Sequence, residues 1–148
     1  MKYRILYLCT GNSCRSQMAE GWTRPLWPDL FDVQSAGVTA NGLDEDAVKV
    51  MAEKGVDISR HQSKTLDTLP CLTYDFVITV CSHADETCPV FPGRTRRLHH
   101  GFDDPPRLAL AAKTPEEALS HYRRVRDEIG AFVTQLPQFL HLQEATHE

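Results

Sequence analysis

The sequence predicts an α/β domain with a small four-stranded parallel sheet flanked by helices on both faces. Two observations point there. Strand-like and helix-like segments alternate along the chain, which implies right-handed βαβ units. The run "YDFVITVC", residues 74 to 81, is apolar with little polar alternation and rich in β-branched types, as a central strand covered on both faces must be. No repeat, linker or low-complexity tract interrupts the pattern, so residues 1–148 read as one domain. A chain of this length can bury roughly two thirds of the surface it exposes unfolded, enough to fold without staples.

Each element follows from its own pattern. "KYRILYLC" predicts a first strand over Lys2 to Leu8, ending at Cys9. Helical spacing from about Ser13 to Trp27 places Met18, Trp22 and Leu26 four apart, with Pro25 expected to end the helix early. "FDVQSAG" reads as a second strand. Asp44 through Lys54 is a helix with Ala47, Val48, Met51 and Ala52 on one stripe and Gly55 as its stop. A short helix near Leu66, the central strand and a weaker strand over Thr95 to His99 come next. Thr114-Pro115-Glu116-Glu117 is a capping box with proline at the first helical position, and it opens a last helix carrying Ala118, Tyr122, Val125, Ile129, Phe132 and Leu136.

Composition narrows the function classes. The chain is 41% apolar and 24% charged with a net charge of -4, a balance that points to neither nucleic acid nor an anionic membrane as partner. Any anionic ligand must be drawn by local groups. The five cysteines, Cys9, Cys14, Cys71, Cys81 and Cys88, are an odd number with no signal peptide and no membrane-length apolar stretch, so a cytoplasmic, reducing setting is expected. There cysteines serve as apolar filler, metal ligands or working thiols.

The stretch Cys9-Thr10-Gly11-Asn12-Ser13-Cys14-Arg15-Ser16 lies between a strand and a helix. Small residues let successive backbone N–H groups turn inward and the helix start adds partial positive charge, so the turn is an anion nest. Arg15 supplies a planar fork of donors suited to a tetrahedral oxyanion. A cysteine facing that nest should ionise below the usual value of about 8.5, making Cys9 a thiolate, with Ser16 donating to the same sulfur. Ligands of open α/β sheets bind at the carboxyl ends of the strands, so the loops after Cys9 and Cys81 should converge on one edge.

This loop resembles the phosphate-binding loop of the low-molecular-weight protein tyrosine phosphatase family, and the resemblance implies that Thr10 through Ser16 bind the substrate oxyanion while Cys9 attacks it. In such enzymes an aspartate before a proline protonates the leaving group, which here points to Asp104-Pro105. Two departures separate the chain from a phosphotyrosine enzyme. Pro106 stands where a tyrosine is usual, and "AGVTANGLDED" holds no aromatic to wall a phenol ring. "VITVCSHADETCPVFPG" followed by "HHGFDDP" resembles instead the thioredoxin-coupled arsenate reductases of the same fold, from Cys9 through "RVRDEIG". That resemblance implies catalytic roles for Cys9, Arg15, Cys81, Cys88 and Asp104: arsenate bound by the nest, a Cys9–arsenic adduct, a Cys9–Cys81 disulfide, and its transfer to Cys81–Cys88 for reduction by thioredoxin or a similar dithiol. It implies a monomer without cofactor. Phosphomonoester hydrolysis through a phosphocysteine is the alternative activity.

Other groups were weighed against these. Zinc on Cys81, His83, Cys88 and His99 or His100 would need a C-x6-C spacing outside the usual two to four residues. Cys14 is either a disulfide partner protecting Cys9 or a packed thiol, and Cys71 is filler. Arg94, Arg96 and Arg97, and likewise Arg123, Arg124 and Arg126, read as solvated charge. Some of these reductases bind potassium near the loop at a position that here matches Lys64. With Asn12, Glu20 and Ser35 retained, a Lys64 ammonium paired with Glu20 is expected in place of the metal. One regular helix from Cys81 to Cys88 would hold its ends roughly 10 Å apart, beyond the 7 Å or so that a disulfide spans, so that segment is expected to unwind on oxidation.

Overall fold

The structure, a computed structural model, describes residues 2–69, 73–88, 91 and 94–142. Four strands, β1 (Tyr3–Cys9), β2 (Phe31–Gly37), β3 (Phe76–Thr79) and β4 (Arg96–His99), form one sheet in the order β2-β1-β3-β4. Every pairing is parallel, and Cys9 stands opposite Gly37 in the register. Consecutive residues of a strand face opposite sides, and Ile5 through Cys9 are all buried, so both faces of the central strand are covered. This is the α/β architecture expected of the sequence.

The helices are α1 (Arg15–Leu26), α2 (Glu45–Glu53), α3 (Ser82–Thr87), α4 (Pro105–Leu110), α5 (Pro115–Thr134) and α6 (Leu136–Phe139), with a 3₁₀ turn over Leu66–Thr68. Asp44 caps α2 by accepting from the Asp46 and Ala47 N–H groups, and Gly55, at φ 77°, ends it in the left-handed conformation glycine tolerates. Thr114 caps α5 through the Glu117 N–H. Pro25 lies inside the last turn of α1 and does not break it. Helix α4 had no counterpart among the expected elements, and α6 is split off at Gln135 from the last expected helix, which carried Leu136. Both begin with a proline in their first two positions, a start signal that six- and four-residue helices follow with too little periodicity to be read.

Helix α5 packs on α1, α2 and α4. Arg126 corrects the expectation of a solvated face: it is 5% exposed, donating to the Val50 carbonyl at 3.0 Å and to Glu53 at 2.9 Å. Arg96 is likewise engaged, bonding the Leu140 carbonyl at 3.0 Å with its guanidinium over the Phe76 ring. No described helix is long and apolar enough to cross a membrane. Cys71 lies outside the described residues.

The α1–α5 seam is tight at Gly130. A Cβ there would stand 2.9 Å from Trp22 Cε2, and the Trp22 ring is tethered by its Nε1–H to the Arg126 carbonyl at 3.0 Å. Alanine would gain about 1 kcal/mol of helix propensity, but overpacking against a fixed ring costs about 1–3 kcal/mol. Gly130→Ala is therefore expected to lower stability despite its better helix former, read as a lower urea midpoint at an unchanged slope. A rise in midpoint would contradict this packing.

Candidate active site

The loop between β1 and α1 is shaped by where its carbonyls go. Those of Cys9, Thr10, Gly11 and Ser13 accept from the backbone N–H groups of Val38, Thr39, Asn41 and Asp44, at 3.2, 2.9, 2.9 and 3.0 Å. The Asn12 carbonyl accepts from Gln17 Nε2 at 3.2 Å. With every carbonyl of Cys9 to Ser13 pulled outward, the N–H groups of Thr10 to Cys14 are left without a protein acceptor among the described residues. Helix α1 begins at the next residue with no acidic side chain in its first turn to occupy its amides. Thr10, Gly11, Ser13, Cys14 and Arg15 line one cavity of about 240 Å³ with Cys9, Asn41, Asp104 and Pro106.

Asn12 holds the loop from behind. It is fully buried at φ 49°, a conformation in which Asn is less disfavoured than most residues. Its Nδ2 donates to Ser16 Oγ at 2.9 Å and Ser35 Oγ at 3.0 Å, while its Oδ1 accepts from Gln17 Nε2 and the Lys64 N–H. Ser35 in turn donates to Glu20 at 2.6 Å. Glu20 is 4% exposed and needs a cation, and the structure corrects the expected one: Arg24, one turn along α1, donates at 2.5 Å, whereas Lys64 Nζ bonds the Gln62 carbonyl. An i,i+4 partner on the same helix needs no loop to deliver it.

Arg15 reaches across the cavity. Its Nη1 donates to the Phe102 carbonyl at 3.0 Å, and Nη2 lies 3.6 Å from Asp104 Oδ2. Its Nε is buried with no partner among the described residues. A buried unpaired donor is costly, and in a cavity beside free amides it is a donor reserved for a ligand.

The two cysteine-bearing loops do converge. Cys9 and Cys81 stand close enough that each sets the other's ionisation. The direction runs against a resting Cys9 thiolate: Cys9 is pushed up and Cys81 is pulled down. Cys81 is pulled down to about 5, first by the bond from Cys9, aided by the Thr10 hydroxyl at 3.2 Å, the Ala84 N–H at 3.4 Å and the Arg15 charge, against its burial. Cys9 is raised well above its ordinary value by its bond to Cys81 and then by burial, which Arg15 and the Ser16 backbone N–H only partly offset. The Ser16 contact to sulfur thus comes from its amide, while its hydroxyl accepts from Asn12.

Cys14 is a buried free thiol, and burial raises its pKa. Cys88 follows α3 as its C-cap, as Cys81 precedes it as N-cap, and lines a largely apolar hollow with Leu8, Val38, Leu66 and Ala84. His99 bonds Thr79, and His100 stacks on Phe102 and Phe132. Among the described residues no three of His, Cys, Asp or Glu are grouped to hold a metal ion. Asn41, at the cavity rim, was not anticipated as a site residue.

A cysteine-bearing anion loop at the carboxyl edge of this parallel sheet defines a class, and comparison agrees: residues 4–146 match the low molecular weight phosphotyrosine protein phosphatase family, to which the chain belongs. Within it, an arsenate reductase of Halalkalibacterium halodurans is 52% identical over 85% of this chain and 88% of its own length. An arsenate reductase of Bacillus subtilis is 49% identical over 88% of this chain and 92% of its own. The solved structure of an arsenate reductase in the phosphate binding state superposes with a TM-score of 0.73 at 27% identity, covering 94% of this chain and 98% of that one.

The opposed shifts have a spectroscopic consequence. Thiolate absorbance near 240 nm in the reduced protein should rise by one equivalent around pH 5, from Cys81. Cys81→Ser should abolish that step, and Cys9→Ala should move it upward because the main donor to Cys81 is lost. A pH 5 step surviving in Cys81→Ser would place the charge on Cys9 instead.

Proposed function

We infer that the chain reduces arsenate to arsenite, and that a second thiol, Cys81, held against the Cys9–Thr10 end of the amide nest is the observation that carries this reading. A phosphatase needs one sulfur at the nest. A second thiol within bonding range of the first is what a disulfide-forming reaction needs.

The steps balance in protons and electrons. Arsenate binds to the amides of Thr10 to Cys14 and to Arg15, while the Ser16 amide faces the Cys9 sulfur. The Cys9 sulfur attacks arsenic, its proton ends on the departing oxygen with the help of Asp104, and water leaves: an S–As bond replaces an As–O bond. The Cys81 thiolate then attacks the Cys9 sulfur. An S–S bond forms, the S–As electron pair stays on arsenic, and arsenic passes from the pentavalent to the trivalent state as arsenite departs, protonated by solvent. Cys88 attacks Cys81 next and frees Cys9 as the leaving thiolate. Thioredoxin, or another dithiol, reduces the Cys81–Cys88 disulfide by the same exchange. The protein acts as a monomer in the cytoplasm; the thiols from which the reaction starts need a reducing compartment. Phosphate-ester hydrolysis accompanies this as a side activity, since both reactions open with the same attack, though a rim of Asn41 and Pro106 gives an aryl ring little to pack on.

Counting free thiols before and after arsenate, without reductant, is the decisive measurement. Loss of two thiols per chain with one arsenite released is expected, and Cys81→Ser should block that release while sparing ester hydrolysis. An unchanged thiol count alongside steady ester hydrolysis would leave a phosphatase.

Cys81 and Cys88 flank the six-residue helix α3. Seven steps at about 1.5 Å hold their α-carbons roughly 10 Å apart, against the 7 Å or so a disulfide allows. Helix α3 must therefore open when they join. Limited proteolysis should cut between residues 81 and 95 faster in the oxidised protein; identical cleavage in both states would contradict the exchange.

A further inference from the structure

Asn41 stands at the rim of the cavity that holds Cys9, Arg15 and Asp104. Its backbone N–H donates to the Gly11 carbonyl at 2.9 Å, and the Thr39 hydroxyl donates to its Oδ1 at 3.1 Å while also reaching the Thr10 carbonyl at 3.3 Å. With Oδ1 held by Thr39, Nδ2 turns over Gly11. A Cβ on Gly11 would collide with that nitrogen and come within 2.9 Å of Asn41 Cγ. The lack of a side chain at residue 11 is what lets the carboxamide lie against the loop. Nδ2 donates to no described protein group.

We propose that Asn41 is a specificity residue whose amide donates to the outward oxygen of an unsubstituted tetrahedral oxyanion. The proposal rests on the cavity being the oxyanion site and adds which oxyanions it prefers. An anion seated with three oxygens toward the loop amides and Arg15 directs its fourth substituent to the rim. In free arsenate or phosphate that substituent is an oxygen able to accept from Nδ2. In a phosphonate it is carbon, which accepts nothing and leaves the amide facing an apolar group. Selection for the free ion then comes from one donor placed where a ring-binding site would need an apolar wall.

Titration calorimetry of the reduced protein with inorganic phosphate and with phenylphosphonate tests this without requiring turnover. Asn41→Ala should weaken phosphate about tenfold relative to phenylphosphonate, the scale of one hydrogen bond to a charged acceptor. Asn41→Asp should weaken phosphate further, by adding like charge. Asn41 is exposed and its backbone bond to Gly11 survives either change, so the melting temperature should hold. Thr39→Val, which frees the carboxamide to rotate, should shift the same ratio by a smaller factor. A phosphate-to-phenylphosphonate ratio within twofold of wild type in Asn41→Ala, whether both ligands weaken or neither does, overturns the proposal while the oxyanion site stands. Wild-type protein that binds neither ligand removes the site and the proposal together.

Discussion

Everything at the active edge depends on the carbonyls of residues 9 to 13 having acceptor duties elsewhere. A turn of five peptide units exposes as many acceptors as donors, and an anion sees a net attraction only if one set is removed. Here the chain after β2 runs beside the loop and supplies four of the five N–H groups that do so, and Gln17 supplies a donor for the fifth. The loop is therefore electropositive because of a segment some thirty residues away. Asn12 fixes the one twist this arrangement demands, and its four side-chain bonds tie that twist to α1, β2 and the Lys64 backbone. The network is buried and satisfied throughout, the condition under which polar cores are rigid.

The opposed shifts of Cys9 and Cys81 suit the proposed order of steps. Cys81, the second nucleophile of that proposal, has the donors that favour a thiolate, while Cys9 is pushed toward the thiol. A resting Cys9 thiolate packed against a Cys81 thiolate would place two like charges in contact with little solvent between them. The pair avoids this by staying singly charged, and Arg15, which lowers both, is the cation that tolerates either placement.

What the sequence revealed was local. The strand–loop–helix around Cys9, the capping box at Thr114 and the second strand at Phe31 depend on neighbours in the chain, and all stand as read. Arg126 was misplaced although its position was legible: Leu119, Tyr122, Arg126, Ile129 and Val133 recur at spacings of three and four, so Arg126 lies on the buried stripe, and its charge argued wrongly against its place. The same holds for Arg24, four residues from Glu20, passed over for a distant lysine. The clamp on the loop carbonyls, the role of Asn41 and the opposed shifts of Cys9 and Cys81 were not legible. Each depends on which donors reach a given atom after folding, and no spacing encodes that.

Helix α3 links the sulfur chemistry to a change of shape. Its N-cap is the Cys81 sulfur, accepting from the Ala84 N–H. At six residues it is too short to persist on propensity alone and relies on its cap and on packing against β1 and β3. A thiolate cap also meets the positive end of the helix. Once Cys81 is bonded to Cys9 that negative charge is gone, a disulfide sulfur accepts only weakly, and the first turn loses what held it. In the proposed cascade, the step that consumes the Cys81 thiolate would thus weaken the helix that separates Cys81 from Cys88, and would free the third sulfur only after the second has reacted. The proposed order would then follow from one sulfur being cap and nucleophile at once.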